Sequence, residues 1–263
     1  MQTTLITGAS SGIGEVFARK LAARKENLLL VARSEDKLAN LCNELGRAHE
    51  VNAQFVAMDL SEAGAGERLY EETLRRGLEV ETLINNAGFG SMGDFTGQEI
   101  GRELNMIDLN VKALVDLTYR FLLPMRERKR GAIINVASTA SFQPVPFMST
   151  YAATKAFVLS FSEALWEENR PYGIKVLALC PGVTETNFFE AAQIDRPPGR
   201  VVQTPEAVVE TALGALERGK GHVVSGWANY LMIQAERLVP RSIVARAAGA
   251  ALRPQYGKKG AGG

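Results

Sequence analysis

The sequence predicts an α/β protein: a single domain, doubly wound around one parallel sheet of about seven strands. Three observations carry this expectation. Short β-rich runs alternate with helix-period segments from residue 2 to about residue 225. The runs Asn27 to Val31 and Ala132 to Ala137 are apolar at nearly every position, as strands buried on both faces are. The first run is followed at once by a glycine-rich turn and a helical pattern. A length of 263 residues accommodates one large core of this kind.

Composition excludes several other classes. Hydrophobic residues make up 46% and charged residues 22%, with a net charge of +1, so no global field attracts nucleic acid or membrane. Cys42 and Cys180 stand far apart and in no ligand spacing, and read as buried, inert thiols. His49 and His222 are isolated from each other, and no metal centre is expected. Met1 leads directly into a strand-like run, which does not read as a signal peptide, and no apolar run is long enough to span a bilayer. The expected location is a reducing, cytoplasmic compartment.

Gln2 to Thr7 reads as the first strand. Gly8-Ala9-Ser10-Ser11-Gly12-Ile13-Gly14 comes next, and then a helix. Strand, glycine turn and helix together form the context in which glycines mark phosphate binding. Gly8 permits the tight turn, Gly12 leaves room for a pyrophosphate, and Gly14 allows close packing of helix on strand. The helix N-terminus then faces the anion. The second strand ends at Ala32-Arg33-Ser34. In a dinucleotide fold this end meets the adenosine ribose, where an acid takes the 2′-hydroxyl and an arginine a 2′-phosphate. Arg33 with no acid beside it points to NADP(H) rather than NAD(H).

Ser34, Glu35 and Asp36 cap and charge a helix expected to run to about Leu45. Gln54 to Met58 is a third strand, ending in Asp59-Leu60. Asp59 suits either an adenine amino group or a helix cap. Gly64 to Arg76 is helical, and Thr82 to Ile84 leads into Asn85-Asn86-Ala87-Gly88. The paired asparagines either tie neighbouring loops together or form a simple turn. Glu99 to Met125 is a long apolar-periodic stretch in which Asn110 disfavours a regular helix and invites a bend. Arg126 to Arg130 is a basic patch at its end, with no partner assigned.

Ala132 to Ala137 delivers Ser138 at its carboxyl end, the edge at which open parallel sheets bind ligands. The helix from Thr150 to about Asn169 carries Tyr151 and Lys155, four residues apart and so on one face; Ser138 precedes Tyr151 by thirteen residues. A nearby ammonium favours a phenolate, so Lys155 is expected to pull Tyr151 below its ordinary value near 10, towards the pH at which a proton donor works best. Ile174 to Leu179 is a sixth strand, followed by Cys180-Pro181-Gly182-Val183-Thr184-Glu185-Thr186, a loop suited to holding an amide or phosphates. Residues from about 183 to 204, with Phe188, Phe189, Pro197 and Pro198, read as a substrate loop. Thr204-Pro205-Glu206 starts a helix, and His222 to Ser225 is a last strand. Residues 226–263 form a helical extension with no acid after Glu236 and a tail, Lys258 to Gly263, expected to be disordered. That extension packs on the body, on a second subunit or on a membrane surface.

In order, T-G-A-S-S-G-I-G at Thr7 to Gly14, N-N-A-G at Asn85 to Gly88, Asn110, Ser138, Y-A-A-T-K at Tyr151 to Lys155 and P-G at Pro181 to Gly182 make a specific set. With them the chain resembles the short-chain dehydrogenase/reductase superfamily, a Rossmann fold, to about residue 225. The stretch Val31 to Leu38 looks like its NADP(H)-preferring branch. The resemblance implies that Tyr151 gives or takes the substrate proton and that Ser138 bonds the substrate oxygen. Lys155 would assist Tyr151 and bind the nicotinamide ribose, and Asn110 would hold a water connecting Lys155 to solvent. Gly8, Ser10, Ser11, Gly12, Ile13 and Gly14 would line the phosphates. Arg33, Asp59, Leu60, Asn86, Ala87 and Gly88 would meet the adenosine half, and Pro181, Gly182, Val183, Thr184 and Thr186 the cofactor's other flank.

The function so implied is an NADP(H)-dependent oxidoreductase interconverting a carbonyl (ketone, aldehyde or oxoacyl) and an alcohol. Its substrate is expected to be apolar and bordered by Phe142, Pro144, Val145, Phe147, Met148, Phe188 and Phe189. Family habit implies a homodimer or homotetramer. An NAD(H)-dependent alcohol dehydrogenase and a non-catalytic cofactor-sensing protein on the same fold are the alternatives. A sensor has no need of Ser138, Tyr151 and Lys155 together.

Overall fold

The structure, a computed structural model, describes residues 1–186 and 202–256. Among them, seven strands form one parallel sheet in the order β3-β2-β1-β4-β5-β6-β7. The strands are β1 (Gln2–Thr7), β2 (Leu28–Ala32), β3 (Ala53–Ala57), β4 (Glu79–Asn85), β5 (Gly131–Val136), β6 (Ile174–Cys180) and β7 (His222–Val224).

Successive residues of a strand point to opposite faces, so β2, which has no polar position, buries side chains on both sides of the sheet. Leu28 and Leu30 join one buried cluster with Phe17, Leu21, Leu38 and Val208, under α1 (Gly12–Ala23), α2 (Glu35–His49) and the helix Pro205–Glu217. Leu29 and Val31 join another with Leu69 and Phe121, under α3 (Ala65–Arg75) and the helix Leu114–Arg128. Each of these leucines contributes about 2 kcal/mol on burial. The sheet therefore needs helices on both faces. Strand order reverses between β1 and β4, which opens a crevice at their carboxyl ends.

Several elements differ in detail from expectation. α2 continues to His49 and stops only where Glu50 turns left-handed, at φ 53°. Ser34 stands at its N-cap but makes no side-chain capping bond. The stretch 99–125 divides into α4 (Ile100–Ile107), a π-helical turn (Asp108–Ala113) holding Asn110, and α5 (Leu114–Arg128). The basic patch after it is structural. The Arg126 guanidinium donates to Asn169 and lies over Tyr172, Arg128 donates to the Val80 carbonyl, and Arg130 pairs with Glu79 and Glu81.

The catalytic-type helix, α6, spans Ser149–Asn169 and packs on β6. α7 (Pro205–Glu217) begins at Thr204, whose hydroxyl accepts from the Ala207 amide. Beyond β7 come α8 (Trp227–Glu236) and α9 (Arg241–Tyr256). Among the described residues no helix is long and apolar enough to cross a membrane, and no group of side chains could hold a metal ion. Cys42 and Cys180 are buried free thiols; burial pushes Cys42 up to about 11 and raises Cys180 further.

Candidate active site

The glycine turn between β1 and α1 is built by close approach. Gly8 and Gly12 adopt φ 64° and 59°, a region that favours glycine. A Cβ on Gly14 would lie 2.3 Å from the Gly8 carbonyl oxygen, so α1 sits on the turn with no room for a side chain. Asn86 fastens this turn from β4. Its amide donates to the carbonyls of Thr7 at 2.9 Å and Gly8 at 3.1 Å, while Thr7 Oγ1 accepts from the Asn86 and Ala87 amides. Asn85 points the other way, donating to Thr118 and Asn135. The pair thus ties loops and strands together, as one of the two sequence readings held. Ser11, the N-cap of α1, makes no capping bond, so the first-turn N–H groups have no side-chain acceptor there.

At the end of β2 the Arg33 side chain is 78% exposed, with Nη1 3.8 Å from Asp59 Oδ2. Asp59 accepts from the Ser61 amide and hydroxyl. Burial raises its carboxyl, but the Ser61 bonds and the Arg33 charge outweigh that and hold it below the ordinary value. Asp59 therefore closes its own turn through Ser61 and lines the crevice, and it is not a helix cap, since Gly64 stands at the N-cap of α3.

Ser138 ends β5 and N-caps a short 3-10 turn, Thr139–Phe142, with its hydroxyl accepting from the Ala140 amide. Its hydroxyl is close enough to the Tyr151 phenol to act on the phenol's acidity. Tyr151 and Lys155 are 8% and 6% exposed, and Lys155 Nζ lies 5.9 Å from the Tyr151 ring centre. Lys155 Nζ donates to the Val136 carbonyl at 2.7 Å. Burial pushes the Tyr151 phenol up to about 12, against the downward pull of the Ser138 hydroxyl. Burial lowers the Lys155 ammonium to about 8. The expected depression of the phenol by Lys155 is therefore not what the structure shows: desolvation governs both groups, and the ammonium spends a hydrogen on Val136.

Asn110 sits behind this pair, 1% exposed. Its amide donates to the Phe89 carbonyl and to Thr154 Oγ1, and its Oδ1 accepts from the Phe89 amide. Thr154 in turn donates to the Tyr151 carbonyl. Asn110 thus connects the loop after Gly88 to α6. Asn110 Oδ1 and Lys155 Nζ both face Gly88, where a Cβ would meet them at 2.8 and 3.5 Å.

These residues share one cavity of about 1050 Å³. Gly8, Ser10, Ser11, Gly12, Ile13, Arg33, Asp59, Leu60, Asn86, Ala87, Gly88, Ser138, Tyr151, Lys155, Pro181, Gly182, Val183, Thr184 and Thr186 all line it. Gly14 and Asn110 do not; they act from behind the wall. Of the expected substrate-side residues, Val145 and Met148 line the cavity. Pro144, Phe142 and Phe147 do not. The Phe142 ring packs 6.2 Å from that of His222, and Phe147, at φ 64°, gives its carbonyl to the Gly93 amide. Phe188, Phe189, Pro197, Pro198 and the tail Lys258 to Gly263 lie outside the described residues. The sequence reading missed Phe89, Met92, Thr139, Ala140 and Asn229, and a row of α9 residues beginning at Ile243. The apolar period of α9 was the signal for that row.

The cavity fits a dinucleotide. Two glycines hold left-handed conformations, a helix presents uncapped amides, and an exposed guanidinium stands where a 2′-phosphate would lie. Comparison with known proteins agrees. The family model described as short chain dehydrogenase matches residues 2–197. A very-long-chain 3-oxoacyl-CoA reductase of Macaca fascicularis is 32% identical over 235 residues, covering 85% of this chain and 73% of the relative. The ketoacyl reductase HetN of a Nostoc species is 31% identical over 225 residues, covering 85% and 78%. A short-chain dehydrogenase from Sphingobium yanoikuyae, solved in complex with NADPH, superposes with a TM-score of 0.82 at 33% identity, covering 90% of this chain and 94% of that one. Motif order, sheet topology and these matches agree that the chain belongs to the short-chain dehydrogenase/reductase family, whose members are oxidoreductases.

Proposed function

We propose that the protein is an NADP(H)-dependent oxidoreductase that interconverts a carbonyl and an alcohol, with Tyr151 as general acid and base. The observation that carries this reading is that Ser138, Tyr151 and Lys155 line one cavity with the glycine turn and Arg33, with Tyr151 and Lys155 buried side by side. When bound there, the nicotinamide cofactor supplies or accepts the hydride. Ser138 and Tyr151 hold the substrate oxygen between two hydroxyls, so charge developing on that oxygen meets donors already in place. Tyr151, a phenol at neutral pH, hands its proton to that oxygen. Lys155 supplies a positive charge within the same dry pocket and reaches towards the ribose side. Asn110 fixes the Phe89 loop and α6 in register.

NADP(H) is favoured over NAD(H) because an arginine, Arg33, and not an acid follows β2, with its side chain largely exposed, and because the Sphingobium structure contains NADPH. The names of the macaque and Nostoc relatives make 3-oxoacyl thioesters the first substrates to test. Leu104, Leu123 and Phe157 are exposed on α4, α5 and α6, which accords with a homo-oligomer. The reading keeps a cytoplasmic, reducing location, in accord with two buried thiols.

Fluorescence titration with NADPH and NADH tests the cofactor assignment. Wild-type protein is expected to bind NADPH more tightly. Arg33→Ala should weaken NADPH by about 10- to 100-fold, the effect of one charge-assisted contact, and leave NADH unchanged. Equal binding of both cofactors by the wild type would overturn the assignment.

A further inference from the structure

The cavity is larger than most single-ligand pockets, which run to roughly 1,000 Å³, and one side of it has no part in the chemistry above. We infer that this side, built by α9, seats the long apolar chain of an acyl substrate and that Ala247 and Ala251 set how much chain it accepts. The inference rests on the reductase reading and names its substrate class.

The wall is made by Ile243, Val244, Ala247, Ala248, Ala251 and Leu252. Their spacing of three and four places them on one helical face. With Val239 just before the helix, also on the wall, that face is about 20 Å long. It is continuous with the catalytic end. Gly249 is buried, and a Cβ there would lie 3.5 Å from Pro146, so α9 rests against the loop whose Val145 and Met148 also line the cavity. Tyr151 comes shortly after that loop. The α9 face itself carries no charge, since Arg241, Arg246 and Arg253 are exposed and do not line the cavity; Glu236, at the end of α8, lines the cavity beyond Val239 and makes that end of the trough polar. The alanines end at Cβ and leave the trough open beside them. Ile243 remains 52% exposed at its rim. An extended chain lying there covers that apolar surface, and each methylene buried adds about fourfold in affinity. A small polar ketone would leave the whole face wet.

Two readouts on the full chain test this. The first is kcat/KM with NADPH for a short and a long 3-oxoacyl thioester of N-acetylcysteamine, in wild type, Ala247→Trp and Ala251→Trp. The wild type should prefer the long thioester. Each tryptophan should lower kcat/KM for it about tenfold or more, while the short thioester and the NADPH Kd stay within about twofold. The second is fluorescence titration of the NADPH-loaded protein with cis-parinaric acid, which needs no turnover. The wild type should bind it, and the variants should bind it about tenfold more weakly. Equal losses for both thioesters, no length preference in the wild type, or parinaric acid binding unchanged in both variants would overturn the inference. Failure to bind NADPH would instead count against the reductase reading, and free protein titrated with parinaric acid would still report on the trough.

Discussion

Tyr151 and Lys155 stand one turn apart on α6, and burial acts on them in opposite directions. The phenol rises to about 12 and the ammonium falls to about 8. Burial thus keeps Tyr151 a protonated phenol at neutral pH. Lys155 carries a cost for the fold. Its folded value lies below its ordinary 10.5. Below pH 8 both folded and unfolded chains bear the charge, and the folded chain bears it desolvated. Between 8 and 10.5 the unfolded chain binds a proton that the folded one lacks, so stability rises with pH across that window. Lys155→Met should therefore stabilise the protein at pH 7 by about 2 kcal/mol, after allowing for the lost Val136 bond, and the gain should shrink by pH 10. Urea denaturation at the two pH values checks this, and a destabilised variant at pH 7 would contradict it. At this scale the spacing of Ser138, Tyr151 and Lys155 made it legible that the three side chains share one cavity. It did not make the direction of the phenol's shift legible, because the Val136 carbonyl and the burial come from the tertiary fold.

The π-helical turn Asp108–Ala113 is the element that most directly connects fold to site. One extra residue in the turn carries Asn110 inward, where both amide hydrogens and its oxygen are used. An asparagine in the middle of an apolar helical pattern announced a break in the regular helix, and what stands there is the π-helical turn. Its form depended on Phe89 and Thr154, which pair with Asn110 only across the fold. Asn110→Ala removes the partner of the half-buried Phe89 amide and carbonyl and should cost about 1 to 2 kcal/mol. Its urea midpoint should fall accordingly, and an unchanged midpoint would show that the bonds are replaceable. The same contrast holds elsewhere. β2 was legible to within one residue at each end from its unbroken apolar run, whereas the end of α2 was not, because nothing local before Glu50 stops it.

At the scale of the molecule, the sheet order and the position of the site come from pattern. Strand runs, connecting helices and a glycine turn after β1 leave a crevice at the carboxyl edge, and the residues with recognisable chemistry end there. The C-terminal helices were legible as helices but not by location. An apolar face with scattered arginines reads the same whether it meets the body, a second copy or a lipid surface. The tertiary fold, which brings Ile243, Val244, Ala247 and Ala251 to the cavity and Gly249 close to Pro146, places α9 there. The central claim is that these parts make a carbonyl reductase working through Tyr151. Its most direct test is consumption of NADPH by the wild type and by Tyr151→Phe in the presence of a 3-oxoacyl thioester, with NADPH affinity measured in parallel. The account predicts NADPH affinity within about twofold in both proteins and turnover lowered by about 10² to 10⁴ in the variant, the range of a lost general acid. Turnover retained by Tyr151→Phe would contradict it.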